Sequence, residues 1–173
     1  EQHSIDFAIF FITEDGLRDA LIAAQARGVQ VRGVFDELGA GNASSDDEAL
    51  CEAGVSVGLE DTPGKMHNKL MVIDAAGPDA RVVTGSLNWT AAGDRRNSEN
   101  IVIVHDGEVA QAYAGAFTQW WEGATYLSCA ITAPGRALYL PVVIRAPEAT
   151  PTPTLPPATT VPTLTPTPTA TTQ

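Results

Sequence analysis

Cysteine and positive charge are both scarce in this sequence. Its 173 residues include two cysteines, Cys51 and Cys129, too few for a disulfide-dense mini-scaffold or a four-ligand zinc site. The fold must therefore stand on a hydrophobic core. Two unpaired buried thiols are the expected state of these cysteines, with a disulfide as the alternative if the protein is exported. Ten Lys and Arg stand against 21 Asp and Glu, for a net charge of −11. That deficit argues against generic polyanion binding, which rests on surplus basic side chains, so any phosphate chemistry needs a local site. Long apolar runs are absent too: nothing approaches the roughly 18 uninterrupted apolar residues of a membrane span. The apolar stretch Ala137 to Ile144 is short, broken by Pro141 and flanked by Arg136 and Arg145; it reads as an edge strand or docking segment.

What is present divides the chain. Apolar residues make up 44% of it, enough for one core domain over residues 1–130 at this length. Residues 131–146 form the edge or docking segment. From Pro147 to Gln173 the sequence is Pro and Thr with a few Ala, Leu and Val, and Glu148 is its one charged side chain. Such a segment cannot bury a core and is expected to be a disordered, extended linker of roughly 80 Å at full stretch. Thr/Pro tracts of this kind often serve as exported stalks, which points to an extracellular or cell-surface location. At the other end, Glu1-Gln2-His3 leads within a few residues into the apolar run Ile5 to Ile12, as in a chain that starts inside its domain. A leader peptide is neither supported nor opposed by this end.

Between the ends, apolar spacing alternates between strand and helix periods. Ile5 to Phe11 reads as a buried strand. Leu17, Ala20, Leu21 and Ala24 then recur at helical spacing, with Gly28 as a left-handed cap. Val29 to Phe35 is a strand, Ser45-Asp46-Asp47-Glu48 has the form of a capping box opening a short helix to Ala53, and Val55 to Leu59 is a strand. This order indicates an α/β layer, a sheet with helices packed on its faces. Met66 to Ile73, Arg81 to Gly85 and Asn100 to Val104 are three further strands. A last helix from Gly107 to Glu122 would put Val109, Ala112, Tyr113, Ala116, Phe117 and Trp120 on one core-facing stripe.

The chemistry concentrates in Lys65-Met66-His67-Asn68-Lys69-Leu70-Met71-Val72-Ile73-Asp74. His67 and Lys69, two apart at the head of a strand, leave the same face, so an imidazole and an ammonium share one opening. Thr84-Gly85-Ser86-Leu87-Asn88-Trp89-Thr90 repeats the device with Ser86 and Asn88, and Gly85 permits close approach of backbone or ligand. Together these groups would surround an oxyanion with a nucleophile, a cation and two neutral hydrogen-bonding groups. Asn97-Ser98-Glu99-Asn100 follows, and Glu99 is placed to accept the second ring N–H of His67, fixing its tautomer. Asp74 is expected to close the strand and turn. Trp89 and Thr90 are expected to pack beside the site. Lys65, Arg95 and Arg96 are candidates to meet a polyanion, against an equal reading as a solvated face. His3 and His105 match no motif.

His67-x-Lys69, four residues, Asp74, then Gly85-Ser86-x-Asn88, with Asn97-x-Glu99-Asn100 downstream, resembles the motif of the phospholipase D superfamily. From Ile5 to about Glu122 the order is similar to that of its single-motif bacterial endonucleases, including the Ala-rich first helix, Arg27-Gly28-Val29 and the acidic Asp36-Glu37. Two departures stand out. Ten residues separate Asp74 from Gly85 where about six are usual, the surplus falling in the turn-forming Ala75 to Ala80. The family's opening strand and helix do not precede Ile5. The resemblance implies a mixed-sheet fold and metal-independent phosphodiester hydrolysis without a cofactor. His67 would be the nucleophile forming a phosphohistidine, Lys69, Asn88 and Ser86 would hold the phosphate oxygens, Glu99 would assist, and Asp74 and Gly85 would be structural parts of the motif. The leaving group needs a proton from a second motif copy; with one copy here, a homodimer or a second motif-bearing half is expected. The implied substrate is nucleic acid first, with phospholipid head groups as the alternative. The alternative of another class is a catalytically dead, surface-tethered binding module.

Overall fold

The computed structural model describes residues 3–61 and 63–129. The expected docking segment 131–146 and linker 147–173 lie outside the described residues. Seven strands form one mixed sheet: β1 (Ser4–Ile9), β2 (Gln30–Asp36), β3 (Ser56–Glu60), β4 (Lys69–Ile73), β5 (Arg81–Gly85), β6 (Ile101–Val104) and β7 (Thr125–Tyr126), in the order β6-β5-β4-β1-β2-β3-β7. The β1–β2 and β2–β3 pairs are parallel; the rest are antiparallel. The connections of both parallel pairs carry a helix, as a crossover requires; the antiparallel β5–β6 connection holds the short α4 as well. The helices are α1 (Asp15–Ala26), α2 (Glu37–Ala40), α3 (Asp47–Glu52), α4 (Ala91–Arg96) and α5 (Gly107–Gly123). This is the α/β mixed sheet expected from the sequence.

Alternation along the strands builds a core on each face. Ile5, Phe7 and Ile9 point with Val31, Phe35, Val57 and Met71 into a cluster capped by Leu21 and Ala24 of α1 and Leu50 of α3. Ala8, Val34, Leu70, Val72 and Val82 turn the other way, onto Ala110 and Phe117 of α5. Asp6 lies on that second face too, with 7% of its surface exposed. It is neutralised by Arg32 on the paired residue of β2, through two bonds of 2.7 and 2.8 Å. The guanidinium in turn lies 5.3 Å from the Phe117 ring centroid and 5.4 Å from that of Trp121, so a nearly buried charge is matched by a fork and two aromatic faces.

Four local expectations need correction. The α5 stripe is shifted in part: Val109, Phe117 and Trp120 pack on the sheet as expected, joined by Ala110, Ala114 and Trp121, while Ala112 and Tyr113 are exposed. A partial error of phase is easy where Ala and Gly carry little signal. The capping box does not form, because Asp46 rather than Ser45 is the N-cap and its carboxylate takes Arg18 of α1 at 3.1 Å instead of a backbone N–H. The strand expected from Met66 starts only at Lys69, because Met66 N–H is drawn aside to Asp36. Finally, Cys51 and Cys129 are not free thiols but a disulfide, their Cα atoms 5.7 Å apart. The two-residue strand β7 explains it: pairing of Leu59 with Thr125 and the 2.9 Å bond from Leu127 N to Val57 O bring the chain back beside α3. A strand of two residues leaves no periodic trace in sequence. Gly28, by contrast, takes the expected left-handed position, φ +90°, just past α1.

Candidate active site

Register places the motif residues at one end of the sheet. Ile9 pairs with Lys69, Leu70 with Thr84 and Gly85 with Ile101. Hence Phe10 after β1, Lys65–Asn68 before β4, Ser86–Asn88 after β5 and Asn97–Asn100 before β6 all emerge at the same edge. His67 sits in the loop ahead of β4 with its ring exposed. Lys69, the first residue of that strand, is buried, and its Nζ lies 3.1 Å from His67 Nδ1 and donates to His67 O at 3.0 Å. The expected meeting of imidazole and ammonium is therefore present. Phe10 packs edge-on to the imidazole at 5.6 Å between centroids, and the Lys65 ammonium lies 5.6 Å above the Phe10 ring.

Burial lowers the Lys69 pKa below its ordinary 10.5, and the charge of Glu99 partly opposes this. The sign follows for stability. The folded state disfavours the charged amine, so the penalty is full below the folded pKa and is relieved as pH climbs toward 10.5.

Glu99 does not bond His67. Its Oε2 accepts from Ser86 Oγ at 2.5 Å and its Oε1 from Asn97 Nδ2 at 3.1 Å, and the two bonds, Ser86's foremost, hold its pKa below the usual carboxylate value. The expectation fails by one strand: Glu99 precedes β6, whose neighbour is β5 with Ser86, not β4 with His67. Its reach toward the cation is electrostatic. Ser86 is further fixed by Asn100, whose N–H donates to Ser86 Oγ at 3.1 Å and whose side-chain and main-chain oxygens accept Ser86 N–H at 2.8 and 3.1 Å. Asn88 is half-buried and its side-chain amide makes no hydrogen bond among the described residues. It borders an open cleft of about 420 Å³ walled by Leu17, Met71, Val83, Leu87, Trp89 and Ile101. Trp89 joins the core against Phe7, while Thr90 caps α4 by accepting Gly93 N–H at 3.0 Å.

Asp74 closes the far end of β4, where its Oδ1 accepts His3 and Ser4 N–H at 2.7 and 2.8 Å. It holds the strands in register and touches none of the reacting groups. Gly85 has φ +145°, and a Cβ there would sit 2.2 Å from the Asn100 carbonyl oxygen. Gly85→Ala should therefore cost roughly 2 kcal/mol or more through strain and clash, read as a lowered urea midpoint; an unchanged midpoint would show that the β5–β6 end yields freely.

Residues 1–121 match the family model described as "Cardiolipin synthase, PLD-like domain". The chain belongs to the phospholipase D-like family. It is 38% identical over 112 residues to a "Phospholipase D" of Rickettsia bellii, covering 65% of this chain and 54% of that protein. It is 34% identical over 121 residues to the "Mitochondrial cardiolipin hydrolase" of Xenopus tropicalis, covering 70% and 56%. The chain thus spans about half the length of the curated relatives it matches. Among solved structures, Nuc of Salmonella typhimurium, a phospholipase D family member, superposes with a TM-score of 0.68 at 26% identity, covering 72% of this chain and 82% of Nuc. In this phospholipase D-like domain the motif pattern led to His67, Lys69, Ser86 and Asn88; it gave no place to Phe10 and placed Asp36 in the family-like order without a role, although both border the same loop. The signal available was weak: an aromatic pair just past one buried strand and an acidic residue at the end of another.

Proposed function

We propose that this domain hydrolyses phosphodiesters through a covalent His67 intermediate. The observation that carries the reading is the buried Lys69 ammonium 3.1 Å from the exposed His67 ring, with the uncommitted amide of Asn88 in the segment that follows the neighbouring strand β5. As it stands, the ammonium takes the Nδ1 lone pair, so the proton of a neutral ring sits on Nε2. An entering phosphate draws Nζ to its own non-bridging oxygens. The imidazole is then free to carry its proton on Nδ1 and attack phosphorus through Nε2. The N–P bond forms as the bond to the leaving oxygen breaks, and that alkoxide takes a proton from an acid. Water then attacks phosphorus and gives a proton back to the group that protonated the leaving oxygen, the P–N bond breaks and free imidazole returns. Lys69, Asn88 and Ser86 stabilise the charge that accumulates on the oxygens. We assign the leaving-group acid to the histidine of a second motif copy, supplied by a homodimer or by another half of a longer protein.

The leading substrate is nucleic acid, supported by the likeness to Nuc and by exposed Lys65, Arg95 and Arg96 at this end of the sheet. Phospholipid is the second reading, favoured by the apolar cleft against Asn88 and by a charge of −12 before Ile131. The disulfide supports work in an oxidising, extracytoplasmic compartment. The test is cleavage of single- and double-stranded DNA, RNA and phosphatidylcholine vesicles in EDTA. Activity on at least one supports the reading; inactivity on all, alone and with any second motif-bearing half, leaves the binding-module alternative.

A pH profile adds a second check. Lys69 must be charged to hold phosphate, so the alkaline limb of activity should fall below lysine's ordinary 10.5 and move upward in Lys69→Arg, whose guanidinium does not titrate there. A limb that does not move would assign it to another group.

A further inference from the structure

Asp36 is almost completely inaccessible, with 2% of its surface exposed, at the end of β2. Among the described residues no lysine, arginine or histidine forms an ion pair with it. Its carboxylate is divided between two backbone donors from different segments: Oδ1 accepts Gly39 N–H at 3.0 Å and Oδ2 accepts Met66 N–H at 2.7 Å. The first bond caps the single turn of α2. The second spans 30 residues and ends on the residue immediately before His67. A carboxylate is a costly group to bury, and capping one short turn does not require it, since serine or asparagine caps as well. The geometry calls for two acceptors on one side chain, aimed in two directions.

The turn that Asp36 caps is itself fitted to the loop. A Cβ on Gly39 would fall 1.9 Å from the Phe10 carbonyl oxygen, so α2 presses on the Phe10 backbone, and the Phe10 ring meets His67. Asp36 thus reaches the imidazole by two routes, through Met66 to its main chain and through Gly39 and Phe10 to its ring. His67 itself is exposed and precedes β4, so no ladder bond of the sheet fixes it.

We propose that Asp36 is a positioning residue for His67, holding the nucleophile's loop against the end of the sheet at the distance Lys69 requires. This rests on the assignment of His67 as nucleophile. The carboxylate does not touch substrate; it acts through Met66 and Phe10.

Two substitutions separate its bonds. Asp36→Ser keeps a cap for Gly39 but is too short to reach Met66; Asp36→Asn keeps the size but offers one acceptor instead of two. Val31→Ala, in the same strand and the core, serves as a control for lost stability alone. With bis(4-nitrophenyl) phosphate as probe, both Asp36 variants should lose roughly 100-fold in kcat, the scale of a misplaced reacting group, with KM within about twofold. Val31→Ala should fall in melting temperature yet stay within about threefold in kcat. Independently of turnover, the His67 Cε1–H signal in a proton–carbon spectrum should move or split in the Asp36 variants, while that of His105 stays fixed. The proposal is overturned if the Asp36 variants lose no more kcat than Val31→Ala and the His67 signal does not move. If His67→Ala keeps full activity, the nucleophile assignment fails instead, and the spectrum still decides whether Asp36 holds the loop.

Discussion

His67→Ala should lose phosphodiester cleavage by roughly 10⁴-fold or more, the scale on which deletion of a covalent nucleophile operates. It should do so with an unchanged melting temperature. The ring is exposed, and its recorded partners are Lys69 Nζ and the edge of Phe10, so little folding energy depends on it. Substrate binding should survive, since Lys69, Ser86 and Asn88 remain. Loss of both activity and binding would instead make His67 part of the anion pocket. Lys69→Met should cost less, roughly 10² to 10³-fold, because it removes one stabiliser of developing charge and leaves the bond-forming atom in place.

The second large effect concerns stability. The disulfide closes a loop with a sequence separation of 78 between α3 and the chain after β7. On the chain-entropy account, reduction or a Cys51→Ala/Cys129→Ala double substitution should cost about 4 kcal/mol. The loss has a defined place: β7 is two residues long and pairs with β3 through two partners, so without the crosslink this edge should open first. Urea titrations with and without dithiothreitol measure it, and hydrogen exchange at Leu127, whose N–H bonds Val57, locates it. Equal midpoints in both conditions would mean that strand pairing alone secures the edge.

The contrast between His67 and Cys129 shows what the sequence could reveal. The site was legible because its residues are bound by spacing: two-residue offsets beside a buried strand fix which side chains share an opening, whatever the rest of the fold does. Strands β1 to β5 and helices α1 and α5 were legible for a similar reason, since each buries a run long enough to carry a period. What failed depended on neighbours. Glu99 was assigned across two strands when pairing puts it beside Ser86. The α5 stripe was misphased where alanines weigh equally on either face. Asp36 was legible as part of the family-like order but not as a positioning group, because that role needs its hydrogen bond to Met66, far along the chain. The disulfide needed β7, which two residues cannot announce.

A nucleophilic His67 must carry a phosphoryl group during turnover. The direct measurement is to mix enzyme and substrate in a single turnover, quench with denaturant at alkaline pH, where phosphohistidine survives, and map the mass of the peptide containing Lys65 to Asp74. The account predicts a transient adduct on His67 that appears before final product and is missing from Lys69→Met only in proportion to its slower rate. Product formation at full rate with no adduct on that peptide, or with the adduct on another residue, would contradict it.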